Sequence, residues 1–251
     1  FHQGRERRLL PLLGLFVTAS LPDHHGLQPV PEHGFNRCLP AVVHLDGPRQ
    51  PWRRGQTLTI QAGTVIKGKP GEAELASALI VARGGKIMAE GTSEAPIIFT
   101  AEADDLEGSV ADKARGLWGG VIVLGKGATN NNTAEKAIEG IPTSETRGLY
   151  GADPTVADDN SGMMTYVSIR HGGTNIGEAN EINGLTLGAV VSATSFSYIE
   201  IVSNADDGVE WFGGAPRCDH ILVAWVGDDS FDYDEGFSGM NQFMVAVQGA
   251  D

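Results

Sequence analysis

Cysteine is scarce in this chain. Its two residues, Cys38 and Cys218, lie 180 positions apart. That spacing makes no metal-type motif, and so few cysteines make no disulfide scaffold. Two separate thiols are expected rather than a bridge. Long apolar runs are also missing. The stretch Leu9–Val17 is nine residues long, too short to span a membrane. Amphipathic-helix patterning is nearly absent, because the apolar runs are short, β-branched and cut by glycine. Basic residues are few, with 18 Lys and Arg against 32 Asp and Glu. Residues 56–251 carry eleven basic and 28 acidic side chains, a net charge of −17. A body this acidic excludes nucleic acid as a partner and suits divalent cations. No phosphate loop or dinucleotide fingerprint occurs. Gly236-Phe237-Ser238-Gly239 lacks the spacing of a nucleophile elbow.

The N-terminal part differs from the rest. Residues 5–20 have a basic start, the apolar run and small residues at Thr18 and Ser20, which reads as a secretory leader within 1–20. Residues 21–55 are rich in Pro, His and Arg without alternation, and are expected to form an irregular cap or linker.

What the chain has in quantity is glycine, 34 residues, and a repeat. A shift of 22 places Ile199 on Ile221, Ile201 on Val223, Asp207 on Asp229, Glu210 on Asp232 and Trp211 on Tyr233. Short apolar runs separated by Gly, Asp and Asn turns at this period predict a stacked β-coil. The fold expected for 56–251 is therefore all-β: a three-sided, right-handed parallel β-helix with about 22 residues per coil. Residues 164–173 match 196–202 at an offset of 32, Tyr166 on Tyr198, with a small loop expected at 174–181. Residues 128–162 are polar and break the rhythm. They predict a long excursion, functional more often than not, with one helical turn at 134–140. The last repeat ends at Asp251, so an open coil is expected there, covered by a further domain or a capping partner.

Strand parity puts Val209 and Trp211 inside, with Phe231 and Tyr233 above them. Glu210, Phe212, Asp232 and Asp234 then face outward. Asp206 and Asp207 stack under Asp228 and Asp229 at a corner, and Glu235 lies nearby. Coils stack about 4.8 Å apart, so these carboxylates crowd one another. Three readings follow. One is a Ca2+ site built from Asp206, Asp207, Asp228, Asp229, Glu210 and Asp232. One is a carboxylate pair for glycosidic hydrolysis, Asp207 with Asp228 or Asp229. The third is corner shaping by Asp side chains that accept backbone N–H groups. Phe212 is expected to offer an exposed ring to a sugar. Arg170 and Arg217 are candidate sugar contacts or lyase bases, or ordinary ion-pair partners. His171 is a candidate base or an exposed turn residue. Trp118 and Trp225 are expected core stacks.

The strand pattern and these motifs resemble secreted proteins of the right-handed β-helix, pectin-lyase-like superfamily. Asp207-Gly208-Val209-Glu210 and Gly227-Asp228-Asp229-Ser230 are similar to two polygalacturonase-type motifs. That resemblance implies Asp228 or Asp229 as general acid and Asp207 as holder of the water. Where the family's next motif belongs, the chain has Gln248-Gly249-Ala250. The function expected is a secreted or cell-surface module that binds Ca2+ and polysaccharide or a cell-surface glycan. The alternative is a hydrolase or Ca2+-dependent lyase on the same acids.

Overall fold

The computed structural model describes residues 42–45, 50–52 and 57–249, except 73–74, 131–134, 142, 144 and 178–179. The leader region and Cys38 lie outside the described residues. Nearly every regular element is a strand, and every pairing between coils is parallel. The fold is a parallel β-helix. No helix among the described residues is long and apolar enough to cross a membrane.

One face stacks Gln50–Trp52, Leu79–Val81, Val121–Leu124, Leu185–Gly188, Val209–Phe212 and Phe231–Asp234. The other two faces share one bent sheet. Its early coils use separate strands, such as Lys86–Glu90 followed by Ile97–Ala101. Its later coils use single long strands, Gly162–Arg170, Ser195–Val202, Arg217–Ala224 and Met240–Val247. These bend at Tyr166, Tyr198, His220 and Phe243, where φ is 48, 53, 52 and 55°. The strained bends are occupied by rings that stack up the coil, with centroids 4.5, 4.4 and 4.6 Å apart. Stacking offsets the cost of left-handed backbone at a bulky residue.

The expected register holds. Ile199 pairs with Ile221, Glu210 with Asp232 and Trp211 with Tyr233 at the 22-residue shift. Val167 pairs with Ile199 at the 32-residue shift. The extra length is a small antiparallel pair, Asn175–Gly177 with Asn180–Glu181. Two features differ from expectation. Strands Val42–Leu45 and Gln50–Trp52 pair in parallel with Val65–Gly68 and Leu79–Val81, so coil structure extends into the segment read as irregular. Residues Lys136–Ala137 form a short antiparallel pair with Leu149–Tyr150, not a helical turn.

Phe99, Trp118, Trp211, Phe196, Leu187 and Val123 fill the interior. Trp118 is buried and donates from Nε1 to the Arg170 carbonyl at 2.7 Å. Trp225 is only half-buried. Tyr233 also departs from the expected core placement. It faces inward and stacks on Trp211 at 5.0 Å, but is 51% exposed, because no further strand covers that face among the described residues. Cys218 is buried and free, and burial pushes its thiol up to about 12, which leaves it unreactive.

Candidate metal centre

The acidic corner is built by two successive turns that lock onto each other. Asn204 is buried and donates from Nδ2 to the Asp207 carbonyl at 2.8 Å and the Ile182 carbonyl at 3.2 Å. One coil up, Gly227 N–H donates to the Asn204 carbonyl at 2.9 Å. A Cβ on Gly227 would meet the Ala205 carbonyl oxygen at 1.8 Å, so only glycine permits this approach. Gly208 N–H bonds the Asp229 carbonyl at 2.9 Å, and Asp229 N–H bonds Asp207 Oδ1 at 2.8 Å. Corner shaping is therefore real at Asp207, and it leaves the second carboxylate oxygen available. Replacing Asn204 with Ala is expected to cost about 1–3 kcal/mol, since the buried Ile182 carbonyl loses its amide donor and the Asp207 carbonyl keeps only the Gly184 N–H. Urea unfolding measures it.

Two groups of carboxylates result. Asp206, Asp207 and Asp228 each place an oxygen within 4.8 Å of the others, and so do Asp207, Glu210 and Asp232. Asp207 belongs to both. Asp207 is 8% exposed and Glu210 7%, while Asp228 is exposed. Burial pushes Asp207 up to about 7; the Asp229 N–H opposes this, and the Asp206, Asp232 and Asp228 charges add to it. Burial also pushes Glu210 up to about 9, helped by the Glu139 and Asp207 charges and opposed by the Asn183 amide. Asp229 joins neither group and serves through its backbone. A cavity of about 500 Å³ opens beside the first group, lined by Glu72, Thr174, Asn175, Asp206 and Asp228 among others.

The second group is not an open ledge, which corrects the outward reading of Glu210 and Phe212. Parity does turn both side chains away from the coil interior. The excursion then covers them: Ile138, Ile141 and Tyr150 pack with Phe212, Ile122 and Leu124 in a second apolar cluster. Tyr150 and Phe212 lie with centroids 6.0 Å apart. Phe212 is 7% exposed and offers no ring to a sugar. Arg83 fastens the excursion, donating to Glu135 and to the Gly151 carbonyl, both at 2.6 Å. Lys136 pairs with Glu235. The signal for this was present. Val121–Leu124 reads Val-Ile-Val-Leu, apolar on both faces, and all four are buried.

The other candidates stand apart. Arg170 is held by Glu200 at 3.0 Å and by Ser168 Oγ at 2.7 Å. Arg217 is exposed and begins its strand, whereas the acidic corner follows that strand's far end. His171 is buried rather than exposed, at φ 60°, with Nδ1 2.7 Å from the Ala114 carbonyl. Residues that sequence reasoning missed are Asn183, Glu139 and Glu72. Asn183 contacts Glu139 and Glu210 through Nδ2. Its Oδ1 is buried without a partner.

Comparison with known families agrees with the coil. The model of the pectate-lyase-like β-helix domain matches residues 44–251. The chain belongs to the pectate-lyase-like β-helix family. No curated protein and no solved structure matches it. As a pectate-lyase-like β-helix, its donor set suits a hard cation. The two groups offer oxygen ligands only, and a buried amide oxygen lies unpaired beside them.

Proposed function

We propose that this β-helix is a secreted or cell-surface module that binds Ca2+ at the corner of Asp206, Asp207 and Asp228 and holds an acidic polysaccharide through the bound ion. The carrying observation is the convergence of three carboxylates on two stacked turns beside an open cavity. Among the described residues no Lys or Arg lines that cavity, so a polyanionic chain is held there through a cation. Saturating Ca2+ should raise the melting temperature. At one hundred times Kd the stabilisation is about 2.7 kcal/mol, or roughly 5–10 °C for a chain of this size. Asp228→Asn should remove most of that rise. A wild-type melting point unchanged by chelation would sink the cation reading.

A second reading has one supporting observation. Asp207, pushed up to about 7, groups with Asp206 and Asp228, and those two line an open cavity. A carboxyl poised there suits general acid–base work on a glycosidic bond. Incubation with polyuronates and neutral glycans should then release reducing ends, and Asp207→Asn should abolish the release. Absence of any product from the wild type removes this reading.

A further inference from the structure

One corner of the coil carries a column of strained backbone. His171, Ser203 and Trp225 take the same place on three successive coils. Their N–H groups donate to Val202, Ala224 and Val247 of the coil above, at 3.0, 2.9 and 2.9 Å. All three are left-handed, with φ 60, 58 and 58°, a conformation costly for residues other than glycine. Each is tied to residues 102–116, which lie between the strands Ile97–Ala101 and Val121–Leu124. His171 Nδ1 lies 2.7 Å from the Ala114 carbonyl. Ser203 Oγ is buried and donates to the Asp112 carbonyl at 2.5 Å. Arg115 Nε donates to the Trp225 carbonyl at 2.8 Å. The segment is fastened at both ends, by Lys67 Nζ on the Asp104 carbonyl at 2.5 Å and by Gly116 N–H on the Gly172 carbonyl at 2.7 Å. It crosses the coils as a strap instead of following one of them.

The strained corners lead straight into the acidic turns. Asp206 follows Ser203 by three residues, and Asp228 follows Trp225 by three. Gly116, at the end of the strap, lines the same cavity as those two carboxylates. We propose that residues 102–116 are a clasp that holds the strained corners in line and so sets the separation of Asp206 and Asp228, with Ser203 and Arg115 as positioning residues. This inference rests on the reading of the acidic corner as a cation site. The N–H ladder fixes the rise from coil to coil, whereas the strap bonds each corner from outside and opposes an outward swing of the turn. That swing has a driving force, because Asp206, Asp207 and Asp228 repel one another while no ion sits among them. A left-handed corner released from the strap gains by relaxing in the same direction. Affinity for Ca2+ depends on how rigidly its ligands are held, and groups that orient ligands are typically worth about 10–100-fold in affinity.

Calorimetric titration of the full chain with Ca2+ tests the clasp, alongside hydrogen exchange and melting in chelator. Ser203→Gly removes the bond to Asp112 yet suits the left-handed corner, so its melting point in chelator should stay within about 3 °C of wild type. Arg115→Gln removes the bond to Trp225 from a half-buried position. Both variants should bind Ca2+ about 10–100-fold more weakly, with the same number of ions per chain. Exchange should speed up at 204–208 and 226–230, while Val121–Leu124 and Leu185–Gly188 keep their protection. Wild-type affinity in both variants overturns the clasp and leaves the corner site standing. Weaker binding that comes with lost protection at Leu185–Gly188 also overturns it, because the loss is then one of global stability. A wild type that binds no Ca2+ overturns the corner reading, and the clasp as its positioning device falls with it.

Discussion

Replacing Trp211 with Ala is expected to cost about 3–5 kcal/mol, the usual range for a buried aromatic reduced to a methyl. Trp211 is fully buried and stacks against Tyr233 at 5.0 Å, with Phe237 at 5.4 Å and Phe231 at 6.3 Å. It lies between Glu210 and Phe212 on one strand, so it holds the inner side of the same backbone whose outer side carries the site. The loss should appear as a melting point lower by roughly 10 °C, with the largest increase in hydrogen exchange at 209–212 and 231–234. Trp211→Phe should recover more than half of the loss, because most of the ring contact returns. Phe212→Ala is expected to cost a comparable amount despite facing away from the coil, since Tyr150 and Ile138 close over it. A Trp211→Ala loss below about 1 kcal/mol would contradict the packing described for this face.

The contrast between Trp211 and Phe212 also shows what the sequence discloses about such a fold. Identical chemistry at a fixed shift sets the coil register, and the pairs Glu210 with Asp232 and Trp211 with Tyr233 follow directly from it. The corner acids were legible for the same reason. What lies outside a coil was less legible, because the excursion has no partner at the repeat distance. Its anchoring by Ile138, Ile141 and Tyr150 is tertiary. The local hints are strands apolar on both faces, Leu79–Val81 and Val121–Leu124. The bent strands were hidden differently. Tyr166, Tyr198, His220 and Phe243 carry positive φ, which side-chain type does not announce for aromatics. Asn183 was invisible as a site residue because its role depends on Glu210 from another coil and Glu139 from the excursion.

Freed of divalent cations, the protein should lose stability as the pH rises from mildly acidic to alkaline, the reverse of a protein held by salt-bridged carboxylates. The sign follows from Glu210. Its ordinary value is 4.5 and the folded value is about 9. Below 4.5 both folded and unfolded states keep the proton, and no penalty exists. Between 4.5 and 9 the unfolded chain has lost the proton while the folded chain keeps it, so each unit of pH favours unfolding. Above about 9 both are ionised and the penalty is constant. Asp207 acts the same way from 3.8 to about 7 and is then spent. Of these two groups, only Glu210 therefore titrates differently in the two states between pH 7 and 9. Glu210→Gln in chelator should be the more stable protein at pH 8–9, with a melting point higher by at least about 2–4 °C, and its melting point should fall less across that window. Melting curves at half-unit steps from pH 5 to 9 decide it. Identical slopes for wild type and Glu210→Gln between pH 7 and 9 would show that Glu210 is ionised in the folded state without a cation.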